Sequence, residues 1–166
     1  MISKSRKTLR ILFSTILLFP VLFSVGCIQK TVFPVVLMTV TAVTPYEVKP
    51  TLPVGSAAVT LSAVSVSLKA DTQVPANLKG YSVTYQTKLG DDIPQIAVPF
   101  TPLELILTVG GTTIVSLSPY TQDVVTLFNN TNSQISPILA TMHLDVKDVN
   151  GNTVTMVAHC LLHKPQ

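Results

Sequence analysis

The chain of 166 residues has no tryptophan, only two cysteines, and 11% charged residues. With Cys27 and Cys160 as its whole cysteine content, a multi-bridge disulfide scaffold is excluded. The antibody-type arrangement of two cysteines around a buried indole is excluded as well. Positive charge is scarce where it would matter. Lys4, Arg6, Lys7 and Arg10 crowd the first ten residues, which leaves seven basic residues against eight acids from Cys27 onward, formally −1. The overall +3 and the pI near 9.0 therefore describe the N-terminal segment rather than the body. A nucleic-acid binder needs clustered Lys and Arg to displace phosphate counterions, so that class is set aside. Beyond the first segment no window sustains an apolar i, i+3, i+4 pattern among Ala, Glu and Lys, so no helix is expected. Catalytic signatures are missing too. The body holds no Gly-x-Ser-x-Gly, His-Glu-x-x-His or Ser-x-x-Lys, and the expectation is a protein that is not an enzyme.

What is present begins with the first 27 residues. Met1 to Arg10 is basic without an acid, Ile11 to Phe23 is almost wholly apolar, and Ser24-Val25-Gly26-Cys27 closes the segment. A basic stretch, a short apolar core and small residues before a cleavage point form a secretory signal. A spanning helix wants roughly 20 apolar residues, and this core is shorter and broken by Pro20. The run ending in Ser24-Val25-Gly26-Cys27 resembles the lipobox of bacterial lipoproteins, with Ser24 where leucine is commonest. The resemblance implies cleavage after Gly26 and acylation of Cys27, palmitate included, as the mature N-terminus. It implies export and a lipid anchor in a bacterial membrane. Ile28, rather than Asp, follows the cysteine, which by the same resemblance favours the outer membrane or cell surface. The expected organisation is a signal peptide at 1–26, a lipidated tether at 27–34 and one domain at 35–163.

The body is rich in Val, Leu, Ile and Thr, which favours strands. Val35 to Val43 reads as a first strand, ended by Thr44-Pro45, with a connection over Glu47 to Gly55; the competing reading makes 28–55 a linker. Ala57 to Lys69 alternates strongly, but its apolar parity flips at Ala63-Val64, which needs a bulge or a change of sheet. After a loop over Asp71 to Lys79, Tyr81, Val83 and Tyr85 alternate with polar residues, and Gly90-Asp91-Asp92 is a turn. Pro94, Pro99 and Pro102 make Ile93 to Pro102 an edge or connecting strand. Gly110-Gly111 between Leu103–Val109 and Thr113–Leu117 reads as a hairpin turn, and Val124 to Phe128 as a short strand.

The last hairpin can be set in register. Ile138, Ala140, Met142, Leu144 and Val146 share one face, and Val154, Met156, Ala158, Cys160 and Leu162 the matching one. Both face the core only if Val146 opposes Val154 and Leu144 opposes Met156. Val149-Asn150-Gly151 is then a three-residue loop with glycine where a left-handed conformation is wanted. About seven to nine short strands with regular turn signals predict an all-β, antiparallel β-sandwich. The body resembles an immunoglobulin-like or fibronectin type III-like module, its last strand pair (ATMHLDVKDVNGNTVTMVAHCLL) being similar to the terminal hairpin of many small bacterial lipoproteins and surface repeats.

Few residues offer chemistry. His143, His159 and His163 with Cys160 suggest a copper-type site, which needs two His, one Cys and a weak axial Met. The hairpin register argues against it: Cys160 faces the core while His159 and His163 face away, and His143 opposes Val157. Cys160 is expected to be buried as a small hydrophobe. Asp148-Val149-Asn150-Gly151-Asn152 departs from an EF-hand loop in its glycine position and lacks the closing Glu, so a turn is the better reading. Asp91-Asp92, alone or with Asp123, reads as solvated turn acids rather than a calcium site, and Tyr81 and Tyr85 as core tyrosines rather than a ligand-binding face. The expectation is a lipid-anchored, non-enzymatic interaction or structural module of the cell envelope. It needs no cofactor, has the membrane and an envelope protein as partners, and would engage them at a sheet edge or loop end. The alternative is a periplasmic metal-binding or redox protein using Cys160 and the histidines.

Overall fold

A computed structural model describes residues 35–51, 62–71, 73–130 and 135–166. Among them the chain is mostly β, in two sheets. The strands are β1 (Met38–Thr44), β2 (Glu47–Val48), β3 (Val64–Ala70), β4 (Ala76–Gln86), β5 (Val98–Ile106), β6 (Thr112–Leu117), β7 (Ile138–Asp148) and β8 (Thr153–Leu162). The smaller sheet has the order β1-β3-β6, the larger β2-β8-β7-β4-β5. All pairings are antiparallel except β2 with β8. One apolar core takes Val64, Val66 and Leu68 from β3, Val83 and Tyr85 from β4, and alternate residues of β7 and β8. Burial of that continuous apolar set is the main force holding the two sheets together.

The β7–β8 hairpin has the register its pattern dictates. Val146 opposes Val154 and Leu144 opposes Met156, and Gly151 closes the turn at φ 88°. Every inward residue of β7 from Ile138 to Val146 is fully buried. Strand β3 likewise buries Val64, Val66, Leu68 and Ala70, starting at the Ala63-Val64 step where the apolar parity flips; residues 57–61 of the predicted strand lie outside the described residues. Strand β5 is an edge strand, as its prolines require.

Four expectations need correction. Val124–Phe128 is not a strand: α1 spans Gln122–Asn130 and buries Val124, Val125 and Phe128. The hydroxyl of Thr121 accepts a hydrogen bond from Val124 N (3.4 Å), an N-cap, and the Tyr120 ring stacks on Phe128 with centroids 6.2 Å apart. Gly110-Gly111 does not join a hairpin. Strand β5 pairs with β4 and β6 pairs with β3, so the turn carries the chain from one sheet to the other. Strand β4 starts inside the expected Asp71–Lys79 loop, at Ala76, and is bulged: Leu78 opposes Val146 and Gly80 opposes Asp145, leaving Lys79 unopposed. Its buried set accordingly shifts from Ala76, Leu78 and Gly80 to Val83 and Tyr85. Finally, the connection after β1 holds β2, two residues that lie beside β8.

Candidate functional site

One surface feature suited to a partner is a seam where β1, an edge of the smaller sheet, approaches β8 of the larger. Strand β2 covers β8 only at Leu161 and Leu162, where Leu161 N donates to Tyr46 O (2.7 Å) and His163 N to Val48 O (2.9 Å). Antiparallel alternation turns the N–H and C=O of Thr155, Val157 and His159 to the same side, where no strand of the described residues meets them. A groove of about 330 Å3 runs beside this stretch, lined by Val40, Val43, Tyr46, Val157 and His159 among others. Tyr46 and Val157 are exposed there. Backbone donors that no described strand meets, beside apolar side chains, are what an added strand requires.

The structure does not bring the histidines and Cys160 together. Cys160 is fully buried, and burial pushes its thiol up to about 12, so it is neither a thiolate nor a ligand to solvent ions. His143 opposes Val157 and meets the Thr84 hydroxyl through Nε2 (3.3 Å). His159 meets the Thr141 hydroxyl through Nδ1 (3.1 Å). His163 lies at the far end of β8, with Nε2 3.6 Å from a Glu47 carboxylate oxygen, too far for a hydrogen bond. Lys49, and secondarily His163, hold the Glu47 carboxyl below its ordinary value. Among the described residues no three His, Cys, Asp or Glu are grouped to hold a metal.

The acids have structural partners. Asp91 and Asp92 belong to the turn after β4: Asp92 Oδ1 accepts from Gln86 Nε2 (2.9 Å), and Asp91 N donates to Thr87 Oγ1 (3.2 Å). Asp148, the one charged residue buried among the described residues, turns its carboxylate into its own turn. Oδ1 accepts from Asn150 N and Asn152 N, and Oδ2 from Asn152 Nδ2, all at 2.9 Å. Burial pushes this carboxyl up, but hydrogen bonds from Asn152, Val36 and Asn150 outweigh it and hold the pKa below its ordinary value. The loop is a turn, not a calcium ladle. Tyr85 is buried, with its hydroxyl donating to Pro119 O (2.7 Å), whereas Tyr81 is only half-buried. Burial raises the pKa of Tyr85 and takes Tyr120, whose hydroxyl donates to His163 O (2.9 Å), to about 12.

Sequence reasoning missed the seam and Tyr46, because which edge stays open depends on strand order. Asp148 four residues before Asn152 around a glycine is a local signal that could have shown the inward carboxylate. Cys27 and the cleavage residues Ser24, Val25 and Gly26 lie outside the described residues.

No protein-family profile matches the chain, and no characterised protein matches it in sequence. Among solved structures, it is similar to a Bordetella pertussis protein described as ApaA, at TM-score 0.42 and 18% identity, over 80% of this chain and 99% of that one. It is also similar to the alkylpurine DNA glycosylase AlkC of Pseudomonas fluorescens, solved on DNA containing an abasic-site analogue, at TM-score 0.38 and 16% identity. That likeness spans 77% of this chain but 30% of AlkC. Both are too slight to carry a fold or an activity across.

Proposed function

We propose that the protein is a lipid-anchored module of the bacterial cell envelope, held by acylated Cys27, that binds a protein partner and performs no chemistry of its own. The observation that carries this reading is the basic, apolar, Ser24-Val25-Gly26-Cys27 sequence placed before a body whose chemistry-bearing residues are kept apart. Cys160 is buried, each histidine has a different neighbour, and Asp148 is consumed by its turn. The body is an immunoglobulin-like, fibronectin type III-like sandwich in this reading. The order β1-β3-β6 against β8-β7-β4-β5, with the chain switching after β1 to run beside the last strand, supports that assignment. The partner adds an extended segment to the open stretch of β8 at Thr155–His159.

Several acyl chains on one cysteine make a permanent tether, because a single chain binds only marginally. The test is Cys27→Ala in the native host. The variant should lose its acyl mass and leave the processed membrane fraction, either as precursor or as released protein. A variant that stays processed and membrane-bound would end the lipoprotein reading. Cross-linking of the wild-type protein in membranes should then capture one recurrent envelope protein, and turnover of a substrate by the purified domain would count against the non-enzymatic part.

A further inference from the structure

The two ends of the β body differ in a way that bears on how it stands on a membrane, an inference that rests on the lipid anchor at Cys27. One end gathers four segments: the start of the described chain at Val35–Leu37, Asp71 with Gln73–Ala76, the turn Leu107–Gly111 and the β7–β8 turn. They are tied by backbone bonds, from Asp71 N to Leu37 O (2.9 Å), Val149 N to Pro75 O (3.1 Å), Leu107 N to Ala76 O (3.0 Å) and Ala70 N to Gly111 O (3.1 Å). Val36 also donates a backbone hydrogen bond to the Asp148 carboxylate. On this end Val35, Leu37, Ile106, Val109 and Val149 stand exposed, Ile106 at 80% and Val149 at 69%. Soluble surfaces scatter such side chains singly; here five of the ten exposed large hydrophobics among the described residues share this end, whereas Leu89 stands alone at the opposite one. The adjoining acids have partners: Asp71 pairs with Lys69, Glu104, though exposed, pairs with Lys79, and Asp148 is folded into its turn. Lys147 stays exposed beside Val149.

Chain length selects what covers this end. Eight Cα–Cα steps, with seven residues between, lead from Cys27 to Val35, and even fully extended they reach no more than about 28 Å. The opposite end, with Leu89, Asp91 and Asp92, lies a strand away, roughly 33 Å for the ten residues of β8. We propose that the Val35–Leu37 and Val149 end seats on the bilayer that holds Cys27. Its exposed apolar side chains reach the headgroup–acyl boundary, and Lys147 faces lipid phosphates. The turn at Gly90 then faces away from the membrane, and the β8 seam runs upward from the surface.

The absence of tryptophan provides the test, since one introduced indole reports alone. Full-length acylated protein carrying Val149→Trp, Leu37→Trp or, at the far end, Leu89→Trp is reconstituted into phosphatidylethanolamine–phosphatidylglycerol vesicles with brominated acyl chains. Emission from Val149→Trp and Leu37→Trp should fall roughly twofold or more relative to unbrominated vesicles, with Leu89→Trp unchanged. Unquenched emission at both near-end positions, or equal quenching at both ends, overturns the seating. So does shielding of Val149→Trp from acrylamide without bromine quenching, which would mark a protein cover. The N-terminal peptide mass of the same sample separates the failures: acylated Cys27 with unquenched indoles overturns the seating alone, and unmodified Cys27 removes the anchor and the seating with it.

Discussion

The larger sheet ends in two edges that are finished differently. On the β5 side, Pro99 and Pro102 remove backbone donors, and the Phe100 ring lies over Gly80 of β4, so close that a Cβ there would collide with Phe100 Cζ and with Thr101 O. On the other side, Thr153–Leu162 contains no proline and no charged residue, and β2 covers only its last two positions. Natural sheets blunt their edges with prolines, charges and coverings. Here one edge is blunted, and over Thr155–His159 no strand of the described residues covers the other. In the proposed reading, this difference favours β8 over β5 as the edge a partner would meet.

The largest effect should come from breaking the blunted edge. Gly80→Ala forces Phe100 and the β5 backbone away, and should lower stability by about 1–3 kcal/mol, read as a fall in thermal midpoint. An unchanged midpoint would mean that the ring does not close over this position. A second effect sharpens the open edge, because Asp148 pins the chain entering β1 to the β7–β8 turn at one end of the seam, as β2 does at the other. Its folded carboxyl lies below the ordinary value of 3.8. Its contribution to stability is therefore complete above that unfolded value and is lost as pH falls through the folded one. Urea midpoints taken from about pH 5 down to about pH 2 should fall more steeply for the wild type than for Asp148→Asn; parallel curves would show that the carboxylate is not what fastens the turn. The smallest effect on stability, and the most telling for function, belongs to Val157→Lys. An exposed charge on the open strand should leave stability within about 0.5 kcal/mol yet abolish partner capture in the membrane cross-link. Undiminished capture would move the binding surface off β8.

How much of this was legible varied along the chain. The β7–β8 hairpin was readable to the residue pair, because two strict alternations and one glycine admit a single register, and both halves bury their marked faces. The β5 edge was readable from its prolines. The segment from Leu103 to Asn130 was not. Gly110-Gly111 does mark a turn, with Gly110 at φ 64°, but turn chemistry is local and says nothing of which strand is met next. Val124-Val125-Thr126-Leu127-Phe128 is too short for its period to separate helix from strand. Its helix is fixed by the Thr121 cap and by the stacking of Phe128 on Tyr120, the second a contact outside the pattern itself. The chemistry-bearing residues followed the same rule: burial of Cys160 was visible in its parity, whereas the neighbours of His143, His159 and His163 came from packing.

By itself the sequence determined the strand-rich class, the register of the final hairpin, the inward placement of Cys160 and the positions at which proline forbids pairing. These follow from alternation and from backbone donors, which are properties of neighbouring residues. Only the tertiary structure decided that β5 and β6 part to different sheets, that Lys79 is left unopposed in β4, and that among the described strands only β2 meets the outer side of β8, at its end. Each depends on which distant strand a segment meets, and that choice is made by burial of the shared core, in which every strand's apolar face competes for the same interior.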